Sequence, residues 1–358
     1  MRKSIKIISL FLFIFTVPLS YGQDSNEKLT EAIKLMDSGK VDESIALLEE
    51  AIKLEPKRMD YPYEMAYAYY LKNDFQKSIK ILEKIVKHKS VEDYVFQLLG
   101  NSYDNINKPK KAIKVYKNGL KKFPNSGSLY LELGVMHLKG TDWTIPLSYF
   151  EKGIEVAPTH PSNYYWASLI LCKTTEEVWG MIYGEIFMNL ERNTKRTAEI
   201  SKLLYDTYKS QISFTGENSF SVSFSKNSVL NIKDFANMGT FKLPFGVGVY
   251  EPTLMFSMLS AKTIDINTLD TIRSNFVDIY FSNNHDKTYP NVLFSYQKQV
   301  KEAGHMEAYN HWILMKGDED AYLIWLNSNE QKWDDFVNWF GKNGLIINES
   351  NKFYRTQY

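Results

Sequence analysis

The chain has 358 residues, 44% of them hydrophobic and 24% charged, which is the composition of a globular protein long enough for two or three domains. Its formal net charge is +1, and a chain this close to neutral disfavours nucleic acid as the main partner. Cys172 is its only cysteine, so an intrachain disulfide is excluded.

Residues 1–22 have the pattern of a secretory signal peptide. A cationic start precedes an apolar run over residues 7–19, and the small residues Ser20 and Gly22 stand just before the expected cleavage point. The apolar run is shorter than the roughly 20 residues that a membrane-spanning helix needs. We therefore expect cleavage after Gly22, export to a bacterial periplasm or out of the cell, and no membrane span after signal removal.

From about residue 25 to residue 158 the sequence repeats itself every 34 residues. Each unit carries a small residue and a large residue three places later, and three of the four units end at a proline. The small position holds Ala32, Ala66, Gly100 and Gly134, the large position holds Leu35, Tyr69, Tyr103 and His137, and the units end at Pro56, Ser90, Pro124 and Pro158. Only a short side chain lets two helices cross closely, and proline cannot continue a helix. The pattern predicts pairs of helices that bury their apolar faces against neighbouring pairs.

This period, with its alternation of small and large residues, resembles the tetratricopeptide repeat. The resemblance implies a right-handed helical solenoid over residues 23–210. Its units would be residues 25–58, 59–92, 93–126 and 127–160, a degenerate fifth unit at 159–192, and a capping helix at 194–210. In the fifth unit Gly180 and Gly184 replace the expected pattern of the second helix.

Residues 211–358 lie outside the resemblance and are expected to form a mainly helical C-terminal domain with a small β-hairpin. Apolar residues alternate on both sides of Gly216, which indicates the hairpin. The glycines and prolines of residues 239–252 predict an ordered loop. Asn267 is the expected cap of a helix over about residues 267–281, and aromatic residues follow at helical spacing over residues 309–340. The predicted fold class is therefore mainly α.

In tetratricopeptide solenoids the second, fifth, ninth and twelfth positions of the first helix line the concave face, and the resemblance implies the same here. Tyrosine suits such a surface because it brings contact area with few rotatable bonds and a hydroxyl that can stay hydrated. The alternative is that the tyrosines pack against the neighbouring unit. The implied partner-binding residues are Asp60, Tyr63, Tyr67 and Tyr70 in the second unit, and Tyr94, Gln97, Asn101 and Asp104 in the third.

One ligand type of the family is disfavoured. Members that clamp a C-terminal carboxylate present lysine, arginine and asparagine from the groove. Only Asn101 fits that set, and no basic residue accompanies it at the corresponding positions. An adaptor for chaperone tails is therefore not expected.

The sequence shows no assembled catalytic, cofactor or metal motif. His305, Glu307 and His311 come nearest to a zinc set, but a helical zinc pair needs histidines four residues apart, and these two histidines are six apart. Gly246 and Gly248 lack the third glycine and the lysine of a phosphate-binding loop. The lysines of residues 108–122 are interpreted as a solvated helix face rather than as a site for an anionic surface.

The sequence thus favours an exported, non-enzymatic scaffold that binds a protein or peptide on its concave face without a cofactor. The alternative is an envelope enzyme with its site in residues 211–358, which would be supported if groups such as His305, Glu307 and Asp286 met in one cleft. A third possibility is that residues 211–358 cap and dimerise the solenoid. The sequence does not determine the oligomeric state.

Overall fold

The computed structural model describes residues 20–140, 142–216, 219–225 and 243–358. The predicted signal peptide at residues 1–22 lies mostly outside the described residues, so cleavage after Gly22 stays a prediction. The described residues form two compact units, which divide between residues 112 and 113. The boundary between them lies within one helix, α6 (Pro109–Lys122).

In the first unit, successive helices pack against one another and are joined by short connections. They are α1 (Ser20–Asp37), α2 (Val41–Leu54), α3 (Asp60–Leu71), α4 (Phe75–Ile85) and α5 (Asp93–Asn105). The turn after each odd-numbered helix contains one residue with left-handed backbone geometry, namely Gly39, Asn73 or Asn107. Glycine and asparagine adopt this conformation most readily, and it ends a helix sharply. The turns therefore recur with the 34-residue period, like the helices.

The small positions of the repeat are buried at helix crossings in this unit. Ala32 packs with Leu48, Ala51 and Tyr61 in one apolar cluster. The hydroxyl of Ser44 donates to the carbonyl oxygen of Ala32 at 2.8 Å, which ties α2 to α1. Small residues at these positions thus allow the close approach that the sequence predicts.

The second unit begins with the same kind of helical pairs: α7 (Gly127–Met136), α8 (Thr144–Val156), α9 (Pro161–Leu171), α10 (Glu177–Leu190) and then α11 (Lys195–Gln211). At Gly134, a Cβ atom would lie 2.2 Å from the Phe150 ring of the paired helix. At Gly184 it would lie 2.6 Å from the Ser168 hydroxyl. The glycines of the degenerate fifth unit therefore lie at the same kind of crossing, and α9 and α10 form a helical pair.

The hairpin predicted after residue 211 is present. Strands β1 (Ile212–Gly216) and β2 (Ser219–Val222) are antiparallel, with Ile212 opposite Val222 and Phe214 opposite Phe220. The two turn residues, 217 and 218, lie outside the described residues.

The glycine- and proline-rich stretch differs from its prediction where it is described. Residues 239–242 lie outside the described residues, but Gly246–Tyr250 form a π-helical turn that continues into α12 (Glu251–Ser257). The expected loop is therefore wrong over this part. Glu251 still donates its backbone N–H to the carbonyl oxygen of Gly246 in the π-helical turn, and Pro252, which follows in the first turn of α12, supplies no backbone N–H.

Further helices complete the second unit: α13 (Ile266–Ser282), α14 (His285–Thr288), α15 (Val292–Glu302), α16 (Met306–Leu314), α17 (Glu319–Ser328), α18 (Glu330–Lys342) and a 3₁₀ turn (Arg355–Gln357). The expected cap of α13 is off by two residues. Asp265, not Asn267, accepts hydrogen bonds from the backbone N–H groups of Asn267 and Thr268.

One buried polar cluster ties α10 to the later helices. The guanidinium of Arg273 forms two hydrogen bonds with the carboxylate of Glu185, at 2.7 and 2.9 Å, and both side chains are 5% exposed. Gln297 and Tyr309 also donate to Glu185, at 2.6 and 2.8 Å. These donors compensate for the removal of the carboxylate from water. Because α10 belongs to the fifth repeat, the core of this unit includes residues on both sides of residue 210. The domain boundary expected between residues 210 and 211 stays a prediction.

The predicted fold class is confirmed: the chain is mainly α, with tetratricopeptide-like helical pairs followed by a mainly helical part that carries a small hairpin. Over the described ranges, no helix is both long and apolar enough to cross a bilayer.

Gly134→Ala tests the close crossing of α7 and α8. We expect this substitution to lower the free energy of unfolding by about 1–3 kcal/mol, because the new methyl group overlaps the Phe150 ring. Thermal and denaturant unfolding measure the change. The matched control is Gly341→Ala in α18, where a Cβ atom would meet nothing within 4 Å, so stability should stay constant or rise by up to about 1 kcal/mol. Equal effects at the two glycines would contradict the packing role of Gly134.

Candidate functional site

The residues predicted to bind a partner lie on two neighbouring helices of the first unit, α3 and α5. We call them the tyrosine face: Asp60, Tyr63, Tyr67, Tyr70, Tyr94, Gln97, Asn101 and Asp104. Tyr67 and Tyr94 are the most accessible of its aromatic residues, at 37% and 42% exposed. The others are partly buried.

The two helices meet through an aromatic contact at one end of the tyrosine face. The rings of Tyr63 and Tyr94 lie with their centroids 4.5 Å apart and their planes inclined at 65°. Burial, and then the nearby charge of Glu64, raise the pKa of the Tyr63 hydroxyl well above its usual range. The pKa of Tyr94 is also raised, by burial first and then by Glu92 and Glu64. Both hydroxyls therefore keep their protons at neutral pH and can donate hydrogen bonds.

At the other end of the tyrosine face an asparagine links the helices. The Asn105 amide donates to the Tyr70 hydroxyl at 3.1 Å and to the carbonyl oxygen of Asn101 at 2.9 Å. The Tyr70 ring also packs edge-on against Phe75, with centroids 5.2 Å apart. Tyr70 thus combines the two roles that the sequence left open, because it packs against its neighbours and lies on the face.

Asp60 is held by an arginine that sequence analysis did not single out. Arg58 donates from Nε to Oδ1 of Asp60 at 3.0 Å and from Nη2 to Oδ2, and its Nη1 donates to Asn26 Oδ1 at 3.1 Å. Burial works to raise the pKa of Asp60, but the hydrogen bonds and charge of Arg58 outweigh it, so the pKa is lowered. Asp60 therefore remains ionised and anchors the start of α3.

A residue of α1 extends the face. Ile33 occupies the ninth position of the first repeat, the position that Tyr67 and Asn101 hold in the next two, and it is 37% exposed. Its register in the repeat was a signal available in the sequence.

The ionisable groups around the exposed tyrosines are mainly carboxylates. Glu64 is partly buried, and its pKa is raised by burial first and then by the charge of Asp60. Asp93 also contributes to the potential at Tyr63 and Tyr94. Because Arg58 is paired with Asp60, the surface beside Tyr63 and Tyr94 has an acidic character.

Of the groups considered for catalysis in the second unit, His311 and Glu307 are neighbours. His311 Nδ1 lies 2.8 Å from the carbonyl oxygen of Glu307, and Trp325 donates from Nε1 to Glu307 Oε1 at 2.8 Å. His311 stacks on Trp325 with centroids 4.1 Å apart, His305 lies against Trp339, Glu307 pairs with Lys332 at 2.7 Å, and Asp286 pairs with Lys287. Among the residues that the structure describes, no group of three or more His, Cys, Asp or Glu side chains could hold a metal ion.

The lysines of α6 have the environment that the sequence predicts. Those at positions 108, 110, 111, 114, 117, 121 and 122 are all exposed, while Ala112 and Tyr116 of the same helix are buried. The lysines thus form the solvated face of an amphipathic helix.

Arg58→Ala tests the electrostatics at the start of α3. Without the guanidinium only burial acts strongly on Asp60, so its pKa should rise above that of the parent protein. NMR titration of the Asp60 carboxyl carbon measures this. In the parent chain the stabilisation from a lowered carboxyl pKa is present at neutral pH and is lost as the pH falls through that pKa. In the variant this loss on acidification should be smaller.

Lys57→Ala is the control for Arg58→Ala, because it removes an exposed neighbouring charge. Its effect on the pKa of Asp60 should be minor. The same Asp60 pKa in Arg58→Ala and in the parent chain would show that the pair has no electrostatic role.

Comparison with known proteins agrees with the repeat. A family model described as tetratricopeptide repeat matches residues 35–101, and a second model with that description matches residues 94–126. Human tetratricopeptide repeat protein 21B is 25% identical over 139 residues, which cover 37% of this chain and 10% of that protein. The chain thus spans about a tenth of the length of this curated relative.

Two solved structures are similar to part of the chain. The pilF protein of Pseudomonas aeruginosa gives a TM-score of 0.45 at 16% identity and covers 53% of this chain and 85% of its own. The tetratricopeptide-repeat protein TTC0263 of Thermus thermophilus gives 0.42 at 13% identity, with 50% and 98% covered. The matched family models run from within α1 to the residues just after α6. The chain carries tetratricopeptide repeats, which are matched over residues 35–126.

Proposed function

We propose that this chain is an exported scaffold, without catalytic activity, whose tyrosine face binds a segment of a protein or peptide partner. The observation that carries the proposal is the exposure of Tyr67 and Tyr94, at 37% and 42%, on the first helices of two successive repeats. Large aromatic side chains dominate the free energy of binding at many protein interfaces, since they exclude water from a wide area.

The rigidity of the face supports this role. Tyr63 and Tyr94 restrain each other by ring contact, and Asn105 bridges Tyr70 and the Asn101 backbone. Side chains that are already ordered lose little conformational entropy when a partner binds. The face would therefore bind as a preformed surface.

The charges of the face indicate the chemistry of its partner. Glu64 and Asp93 lie near Tyr63 and Tyr94, and their charges act on the hydroxyls of both tyrosines. Aromatic rings next to carboxylates favour lysine and arginine, because the cation can lie over a ring and pair with an acid. We infer a partner segment with basic side chains next to apolar ones.

Export of the chain and its lack of catalytic activity are also proposals. The cationic, apolar and small-residue pattern of residues 1–22 supports export. Among the described residues, His305, Glu307 and Asp286 pair with different neighbours, which favours a scaffold over the alternative of an envelope enzyme.

Tyr67→Ala combined with Asn101→Ala tests the face directly. Affinity capture from the cell envelope, read by quantitative mass spectrometry, should show a partner that the double variant retains at least about tenfold less than the parent chain. The melting temperature should change little, because Tyr67 is exposed and Asn101 only partly buried.

Leu54→Ala is the matched control for the double variant. It removes an exposed apolar side chain, 57% accessible, from α2 and outside the tyrosine face, so capture should be unchanged. Unfolding of the double variant would make Tyr67 and Asn101 structural residues. Equal capture by all three proteins would place the interaction elsewhere.

A further inference from the structure

The first unit also has a groove between α2 and α4. It is a groove of about 410 Å³, which we call the α2–α4 groove. Met65 and Tyr69 of α3 form its floor, Ile81 adds to one side, and Lys53, Lys77 and Lys80 form its rim.

The α2–α4 groove is distinct from the tyrosine face. Residues two positions apart on a helix point about 200° apart around its axis. Met65 and Tyr69 therefore lie on the opposite side of α3 from Tyr63 and Tyr67. A partner on one surface leaves the other accessible.

The second unit contains the repeat-equivalent groove, and there the chain's own C-terminal segment lies against it. Three repeat periods beyond Glu49 and Ile81 are Glu151 and Tyr183. Arg355 donates to both carboxylate oxygens of Glu151 at 2.8 Å, and its backbone N–H donates to the Tyr183 hydroxyl at 2.8 Å.

The same segment makes two further contacts with the groove of the second unit. Lys352 donates to the carbonyl oxygen of Glu155 at 2.9 Å. Phe353 is fully buried, and its ring stacks on Trp179 with centroids 5.2 Å apart. Within this chain, the groove between successive second helices of the repeats is thus a surface on which an extended segment docks through charged and aromatic side chains.

The first unit presents the same groove with a different charge. Lys53 stands where the second unit has Glu155, Lys80 where it has Ile182, and Lys77 where it has Trp179. Lys77 pairs with Asp74 at 3.0 Å, whereas Lys53 and Lys80 form no ion pair within the described part of the chain. The three lysines outnumber Glu49, the acidic residue of the lining.

We propose that the α2–α4 groove is a second docking surface, which binds an extended acidic segment of a partner protein. Carboxylates of that segment pair with Lys53 and Lys80, and an aromatic or aliphatic side chain between them covers Met65 and Tyr69. This inference does not depend on the tyrosine face, whose acidic character favours a partner of opposite charge.

The test uses two fluorescein-labelled heptapeptides and the full chain. The first is the chain's own C-terminal sequence, Lys-Phe-Tyr-Arg-Thr-Gln-Tyr. In the second, glutamate replaces both cationic residues. In the Tyr67→Ala and Asn101→Ala double variant, whose tyrosine face should no longer bind a basic segment, fluorescence anisotropy at low salt should show the acidic peptide binding at least about tenfold more tightly than the basic peptide. On titration with the acidic peptide, the methyl resonances of Met65 and Ile81 should shift.

Lys53→Glu combined with Lys80→Glu reverses the charge of the rim. Both side chains are exposed, so the variant should fold, and its melting curve checks this. It should bind the acidic peptide at least about tenfold more weakly than the parent chain. Tyr67→Ala with Asn101→Ala is the control, and it should bind that peptide as the parent does.

The proposal is overturned if the acidic peptide fails to bind at millimolar concentration or binds no better than the basic one. It is also overturned if charge reversal leaves the affinity unchanged. If the tyrosine-face variant loses binding of the acidic peptide instead, that peptide binds the tyrosine face. If only the affinity-capture test of the tyrosine face fails, the result for the α2–α4 groove still stands.

Discussion

The close crossing of two helices at a small residue is the constraint on which the rest of this structure depends. At Gly134 there is no room for a Cβ atom beside Phe150, and at Gly184 there is none beside Ser168. Ala32 is fully buried at the equivalent position of the first repeat. Because each pair of helices is held this closely, the distance from one pair to the next is fixed, and side chains at a given repeat position line up along the stack. Both surfaces discussed above result from that alignment.

The first unit presents two surfaces of opposite character on the two sides of α3. Tyr63 lies near the carboxylates of Glu64 and Asp93, while Met65 and Tyr69 line the groove together with Lys53, Lys77 and Lys80. If both surfaces bind as proposed, opposite charges on the two sides would attract different partners and repel the wrong one, which would provide specificity even where the apolar contacts are similar. In the second unit the equivalent groove is covered in part by the chain's own C-terminal segment, through Arg355 and Glu151. The same repeat geometry thus supports an intramolecular contact in one unit and an open surface in the other.

The sequence predicts the features that a short pattern determines and misses those that depend on distant residues. The helical pairs, the crossings at Ala32 and Gly134, and the pairing of Phe214 with Phe220 all follow from local spacing. The ion pair of Glu185 with Arg273 joins residues 88 positions apart, so no local sequence pattern predicts it. The link from Asn105 to Tyr70 spans 35 residues and could have been found, because it is one repeat period plus one. The π-helical turn Gly246–Tyr250 was missed because its glycines favour a loop by composition, whereas their helical conformation is set by packing, with Gly246 too close to Ser225 for a side chain.

The most direct test of the account is site-specific photo-cross-linking in the cells that produce the chain. A photoreactive phenylalanine analogue at Tyr67, on the tyrosine face, is compared with the same analogue at Leu54, which is also exposed but lies outside that face. The account predicts one discrete cross-linked protein from position 67, with a basic segment at the cross-linked site, and none of that protein from position 54. The same adducts from both positions, or none from position 67, would contradict it.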